Sequence, residues 1–423
     1  MRQCLRRLND YWFGYGSPVT MGVLRIFVGF LALANFLMVS IDFDAWFTER
    51  GYVPYDYAVR KMPDLGGKLV GPWSWWSLQF DIPRVSLVNF FDLGTSTPMM
   101  AFVYALTLCA AVTTMLGLWT RVSTVLLAIG TVTIHHRNGF ILHGGDTVLR
   151  IMVLYVALAP SGAACSLDRV IALWRGKISP AMPQVSLWPQ RLVTYNVALV
   201  YLTTFWHKMR GDQWRNGTAT WYPARLNEFD RFWVPSFFDY PPMVQLTTYG
   251  TLGVELALGT LVFFPQFRKW VLLAGLLMHA YIEYSMNIPL FAFVICSCYV
   301  SFFSGEEVQD WFRRLGIRTE KHRVRVWTPK GRSMRPGPSA ALQAMDPLSL
   351  VAYTDGGDTA WTARNAGDVP IEPVKASWKR TLAAWPVGWI PGLWRRILDR
   401  SLVTTELTHH ESGPSSVVEA VAN

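Results

Sequence analysis

Residues 20–41 read TMGVLRIFVGFLALANFLMVSI. A helix that crosses the hydrocarbon core of a bilayer needs about 20 consecutive, mostly apolar residues. This run supplies them with a single charge, Arg25. It is apolar on every side, as a helix surrounded by lipid or protein must be, whereas a surface helix is apolar along one stripe. Seven further runs follow, at Pro98–Trp119, Ser123–Ile134, Thr147–Ala159, Arg191–Trp206, Met243–Phe264, Lys269–Tyr284 and Pro289–Phe303. Together they predict an all-α integral membrane protein, a polytopic bundle of about eight transmembrane helices. The third, fourth and fifth runs are the weakest, and an apolar run of about 12 residues also fits a re-entrant segment.

Composition agrees. The 423 residues are 51% hydrophobic and only 16% charged, against about a quarter charged in an ordinary soluble domain. The 20 tryptophans fit belts at the headgroup level. The net charge of +10 would raise the question of nucleic acid in a soluble protein. Here it is explained by basic flanks on the cytoplasmic side, and no nucleic-acid-binding motif accompanies it. The lipid bilayer is the expected partner. Five cysteines, three of them inside apolar runs, form neither a disulfide framework nor a zinc motif.

The flanks set an expected topology. Arg2, Arg6 and Arg7 precede the first run, and the basic stretch after position 305 follows the last. Lys and Arg flank membrane spans on the cytoplasmic side, so both termini are expected there. Residues 1–19 are then a cytoplasmic N-terminus, 20–304 the transmembrane domain, and 305–423 a basic, Pro/Gly-rich cytoplasmic tail expected to be partly disordered. Within the tail, WPVGWIPGLWRRILDRSL (385–402) has the pattern of an amphipathic surface helix. The opposite, outward side would carry residues 42–96, the HHRNGFILHGGD loop and the segment 209–242.

Ionisable residues inside such spans are costly and face a bundle interior or a polar cavity. Arg25 lies in the first run; it either faces inward or snorkels to the headgroups. Glu255 lies mid-way along the sixth run, and Arg25 and His279 are its candidate partners. HHRNGFILHGGDTVLR (135–150) places polar groups between two apolar runs. Asp146 and Arg150 are spaced for an i,i+4 pair, and Asp146 suits the first turn of a helix. A metal site on His135, His143 and Asp146 matches no standard spacing, and no metal is predicted. Lys208, beside His207 and Trp206, is either an interfacial lysine or an amine in a dry pocket, where it would act as a base. His279 has the same two readings, a bridge between helices or a proton carrier.

Five stretches occur in order: GLWTRVS, HHRNGFILHGGDTVLR, LAPSGAACSLDR, FWHKMRGDQWRNGTA and MHAYIEYSMNIPLF. Over about residues 15–304 this series resembles the HTTM (horizontally transferred transmembrane) domain family, related to the vitamin K-dependent gamma-glutamyl carboxylase. The resemblance implies Lys208 as an amine base, with His143 and His279 as supports. It implies a cofactor cavity lined by His136, Arg137, Asn138, Asp146 and Arg150 of the first motif and Trp214 of the K-x-x-G-x-x-W-R-x-G-T-A motif. Menaquinone, or another reduced naphthoquinone, is the cofactor it suggests. The carboxylase carries a large extracytoplasmic domain, whereas this chain ends in a basic tail. Two functions follow as expectations: a quinol-linked, carboxylase-like membrane enzyme with an outward-facing polar cavity, or a non-enzymatic membrane protein that moves a small molecule, lipid or ion or organises partners.

Overall fold

The computed structural model describes residues 2–55, 57, 96–174, 178, 182–229 and 231–316, with short strands at 322–326, 352–354, 360–362 and 371–373. The helices are α1 (Arg2–Phe13), α2 (Val19–Ser40), α3 (Phe43–Phe47), α4 (Thr97–Leu116), α5 (Thr120–Arg137), α6 (Gly144–Leu158) and α7 (Leu167–Trp174). They continue as α8 (Trp188–Lys208), α9 (Asp212–Arg215), α10 (Pro241–Gly259), α11 (Pro265–Ser285), α12 (Phe291–Ser297) and α13 (Gly305–Gly316). The chain divides into two compact units, 1–168 with 182–308, and 169–181 with 309–423. The described part of the second includes a four-stranded sheet in which residues 322–326 pair with 352–354 in parallel and with 371–373 antiparallel.

The first unit holds all the candidate residues. Its helices begin and end where the chain dictates. α4, α8, α10 and α11 each carry proline in the first turn, where the missing N–H is no loss. α4 ends on Gly117 at φ +68°, the left-handed cap that favours glycine. Trp119 stands two residues on at φ +47°, a costly conformation for a bulky side chain. Asp168 offsets that cost by accepting from the Trp119 N–H at 2.8 Å, the Thr120 N–H at 2.7 Å and the Thr120 hydroxyl at 2.7 Å.

α2 packs against α4, α6 and α12; α8 packs against α10 and α6; α11 lies on α10 and α12. Leu24, Phe36, Met100, Leu127, Leu149 and Met152 are buried in the resulting core. The outward side chains are apolar as well: Phe27, Phe30, Phe102, Leu273 and Leu277 are exposed. An apolar exterior of that kind suits lipid and not water.

Each of the eight apolar runs contains a helix. The first run expected at Thr20–Ile41 is Val19–Ser40. The third extends beyond Ile134 through His135 and His136 to Arg137, making 18 residues. The fourth has 15. The eighth is broken, with α12 passing into a tighter 3-10 turn at Cys298–Phe302. Among the described residues, two helices, α2 and α4, are long and apolar enough to cross a membrane, or three if Phe291–Phe302 counts together with Gly305–Trp311. Most of the long loop at 42–96 and of the Pro/Gly-rich tail, and all of the expected surface helix at 385–402, lie outside the described residues, while the described part of the tail includes short strands where an all-α chain was expected.

Candidate functional site

Lys208 is the last residue of α8, and α10 runs on past it. Residues after Lys208 return along the first half of α10: the Thr220 hydroxyl meets those of Thr247 and Thr248 at 2.8 Å, and Tyr249 donates to the Arg215 carbonyl at 3.0 Å. Deeper on α10, Glu255 faces the lysine. Lys208 Nζ donates to Glu255 Oε1 in an ion pair. Glu255 is 4% exposed, while the lysine side chain keeps 28% of its surface. The Trp214 ring lies over the ammonium, with its centroid 4.7 Å from Nζ, a cation–π contact that adds to the hold on the charge. Thr204 stands beside the carboxylate, but its hydroxyl is donated to the Tyr201 carbonyl at 3.0 Å. Glu255 Oε2 is buried and has no hydrogen-bond partner among the described residues.

A second polar chain lies next to this pair. His279 Nε2 is 2.7 Å from the Tyr201 hydroxyl, which is 2.7 Å from the Tyr299 hydroxyl. All three side chains are buried. Tyr201 has one proton and two neighbours, so it donates to one and accepts from the other. The Lys208 charge acts on His279, which ties the two clusters together. His279 Nδ1 has no hydrogen-bond partner among the described residues.

The HHRNGFILHGGD stretch builds a neighbouring wall. His143 is the N-cap of α6: its Nδ1 accepts from the Gly145 N–H at 3.0 Å, and its own N–H donates to Asp146 Oδ2 at 2.9 Å. This is a capping box with histidine in the usual serine position. Asn35 of α2 donates to Asp146 Oδ1 at 2.7 Å. Gly145 has no room for a side chain, since a Cβ there would lie 2.7 Å from the His143 ring and 3.1 Å from Phe291 Cα. The Phe291 ring in turn packs edge-on against His279, 5.5 Å between centroids. Phe291 therefore lies between the His143 cap and His279.

Arg137 and Asn138 face the other way. The Arg137 guanidinium donates to the carbonyls of Val53 at 2.9 Å and Phe47 at 3.4 Å, and Asn138 donates to that of Trp46 at 3.1 Å. They pin residues 46–53 to the end of α5. His135 is buried against the Phe36 ring. Asp146, Arg150, His136 and His143 all act on it electrostatically.

Arg25, fully buried, is not the partner of Glu255. It donates to the carbonyl of Thr114 at 2.9 Å and to that of Cys165. The glycine at 117 leaves room for it, because a Cβ there would collide with the guanidinium. Nor does it snorkel; it ties the end of α4 to the 160–166 turn. Neither of the two partners expected for Glu255 pairs with it: His279 bonds the Tyr201 hydroxyl, and the ion pair is with Lys208.

The structure thus joins Lys208, Trp214, Glu255 and His279 of the expected set, adds Tyr201 and Tyr299, and sets His143 and Asp146 across Phe291. Among the described residues, no group of three or more His, Cys, Asp or Glu side chains is arranged to hold a metal ion. Glu255 stood out in the sequence as an intramembrane acid, but nothing local pointed it at Lys208. Tyr201 and Tyr299 carry no mark beyond lying in apolar runs.

No curated protein and no solved structure matches the chain. The HTTM domain profile matches residues 74–311, more than half of the chain. The match takes in Lys208, Glu255, His279 and the whole HHRN stretch and leaves Arg25 outside. This protein, a helical membrane protein, belongs to the HTTM domain family.

Proposed function

We propose that this chain is a multi-pass bacterial plasma-membrane enzyme that binds a reduced naphthoquinone of the menaquinone class and moves a proton to or from it at Lys208. The observation that carries the reading is the setting of that one amine. A buried carboxylate holds it on one side, an indole covers it on another, and its charge reaches the histidine of a buried histidine–tyrosine–tyrosine chain. Positioned acid–base groups of matched chemistry are what general acid–base catalysis uses, and the apolar surround with a few polar groups suits an apolar ligand with a polar head. The HTTM family's relation to the vitamin K-dependent gamma-glutamyl carboxylase supports the choice of quinol. A carboxylation step would follow only by that analogy.

In this reading the eight helical runs cross the membrane with both termini cytoplasmic, as the basic flanks suggest, and the site opens outward. Lys208 is the base and His279 its nearest support; His143 contributes by fixing the start of α6 across Phe291. The alternative, a polar path for transport, loses its main intramembrane cation, because Arg25 is committed to two backbone carbonyls.

The test is extraction of the purified protein for bound quinone. Menaquinone retained by the wild type and lost in Lys208→Ala supports the reading. No quinone in the wild type, or equal amounts in both, overturns it.

A further inference from the structure

We infer that Glu255 and Lys208 share one exchangeable proton, with Glu255 a positioning residue that stores the proton Lys208 must lose before its amine can act as a base. The inference deepens the preceding reading and rests on it for the molecule that finally exchanges a proton with the amine.

The carboxylates of Asp168, Asp146 and Glu255 each meet polar groups distant in the chain, and they are not built alike. Asp168 has both oxygens occupied, by the N–H groups of Trp119 and Thr120 and the Thr120 hydroxyl. Asp146 likewise accepts from Asn35 on one oxygen and from the His143 N–H on the other. It also sits in the first turn of α6, where the helix dipole favours a negative charge. Both are furnished to remain ionised. Glu255 has neither helix start nor backbone donors. One oxygen faces Lys208 and the other, buried, has no donor among the described residues. An ionised oxygen buried without a donor carries the full desolvation penalty, and a neutral carboxyl group carries less of it. Its one strong contact is with the ammonium that has a proton to give.

The step balances within the pair. An Nζ–H bond of the ammonium breaks and an Oε1–H bond forms. The ammonium and carboxylate become a neutral amine and a neutral carboxylic acid, and the net charge of the site stays at zero. That conservation matters in an apolar surround, where an unpaired charge is expensive. Trp214 opposes the step by favouring the ammonium through its ring face, so the charged pair is the resting form. The amine then takes a proton from the substrate and Glu255 keeps the original one until the site resets.

The test uses the full chain reconstituted in phospholipid nanodiscs without added quinone, so its outcome does not depend on the quinol reading. Reductive methylation of Lys208 across a pH series, read by peptide mass spectrometry with Lys269 as internal reference, reports how much of the amine is free. In Glu255→Gln, Lys208 labelling at one fixed pH rises about tenfold. Should that variant fail to fold, Glu255→Asp, with a retracted carboxylate, gives a smaller rise. Infrared spectroscopy reads the other half. Lys208→Met acquires a protonated-carboxyl stretch that the wild type lacks and that Lys208→Met/Glu255→Gln loses. A carboxylate serving only as a packing element would move neither readout. An unchanged labelling profile in the folded Glu255 variant, or no new carboxyl band in Lys208→Met, overturns the inference. If both readouts behave as expected while no quinone is ever bound, the protonic coupling of the two groups stands and the quinol reading falls.

Discussion

Lys208 and Glu255, 47 residues apart in the chain, meet as an ion pair where α8 ends against α10. Breaking such a pair from one side leaves the buried partner uncompensated, which costs about 3–5 kcal/mol, whereas replacing both partners with apolar groups is often close to neutral. Lys208→Met is therefore expected to lose stability towards the low end of that range, because the lysine is partly exposed. Lys208→Met/Glu255→Leu should recover most of the loss. Denaturant unfolding of the purified variants decides; a double variant no better than the single one contradicts the pairing.

Arg25 is a structural fastener and should behave as one. Arg25→Met leaves the Thr114 and Cys165 carbonyls without their donor, at about 1–3 kcal/mol for each buried group. Arg25→Lys should rescue little, because an ammonium lacks the planar fork that reaches two carbonyls at once. Gly117→Ala should fail for the same reason from the opposite side, since its Cβ would meet the guanidinium and its φ is left-handed. Monodisperse yield by size exclusion measures all three, and a well-folded Gly117→Ala counts against the placement of Arg25.

His143 caps α6, so its substitutions should sort by capping ability. His143→Ala is expected to cost about 1 kcal/mol, while His143→Asn, a strong cap, keeps wild-type stability. Thermal unfolding of the two variants provides the check.

Tyr201 joins His279 to Tyr299. Tyr201→Phe strands both of its neighbours and should cost about 1–3 kcal/mol, whereas Tyr299→Phe leaves the His279 contact intact and should cost less. The reverse order in unfolding measurements would show that the chain is not organised around Tyr201.

Much of the helical layout was legible because an apolar run is a local signal. The run at Thr20–Ile41 is a helix within one residue at each end. Where the run and the helix differ, tertiary groups explain it. α5 continues through His135, His136 and Arg137 because Arg137 and Asn138 find carbonyl partners in residues 46–53, and nothing in the run itself signals those partners. The site was legible as a set of unusual residues and not as a set of pairs. Lys208 and Glu255 each stood out, yet which buried acid meets which base depends on how helices register. Arg25 was open to a carboxylate partner, and its actual acceptors are backbone carbonyls, which every residue possesses and no sequence distinguishes. The hydroxyls of Tyr201 and Tyr299 were hidden inside runs that read as membrane spans.

Under the proposed function a naphthoquinone binds beside Lys208, and photo-crosslinking locates it. A menaquinone analogue carrying a photoreactive group on its ring, added to the protein in nanodiscs and mapped by mass spectrometry, should label residues of 201–215 and 279–291. That labelling should disappear with excess menaquinone and in Lys208→Ala. Labelling confined to the exposed apolar faces of α2, α4 and α11, unchanged in Lys208→Ala, would rule out a naphthoquinone site at Lys208.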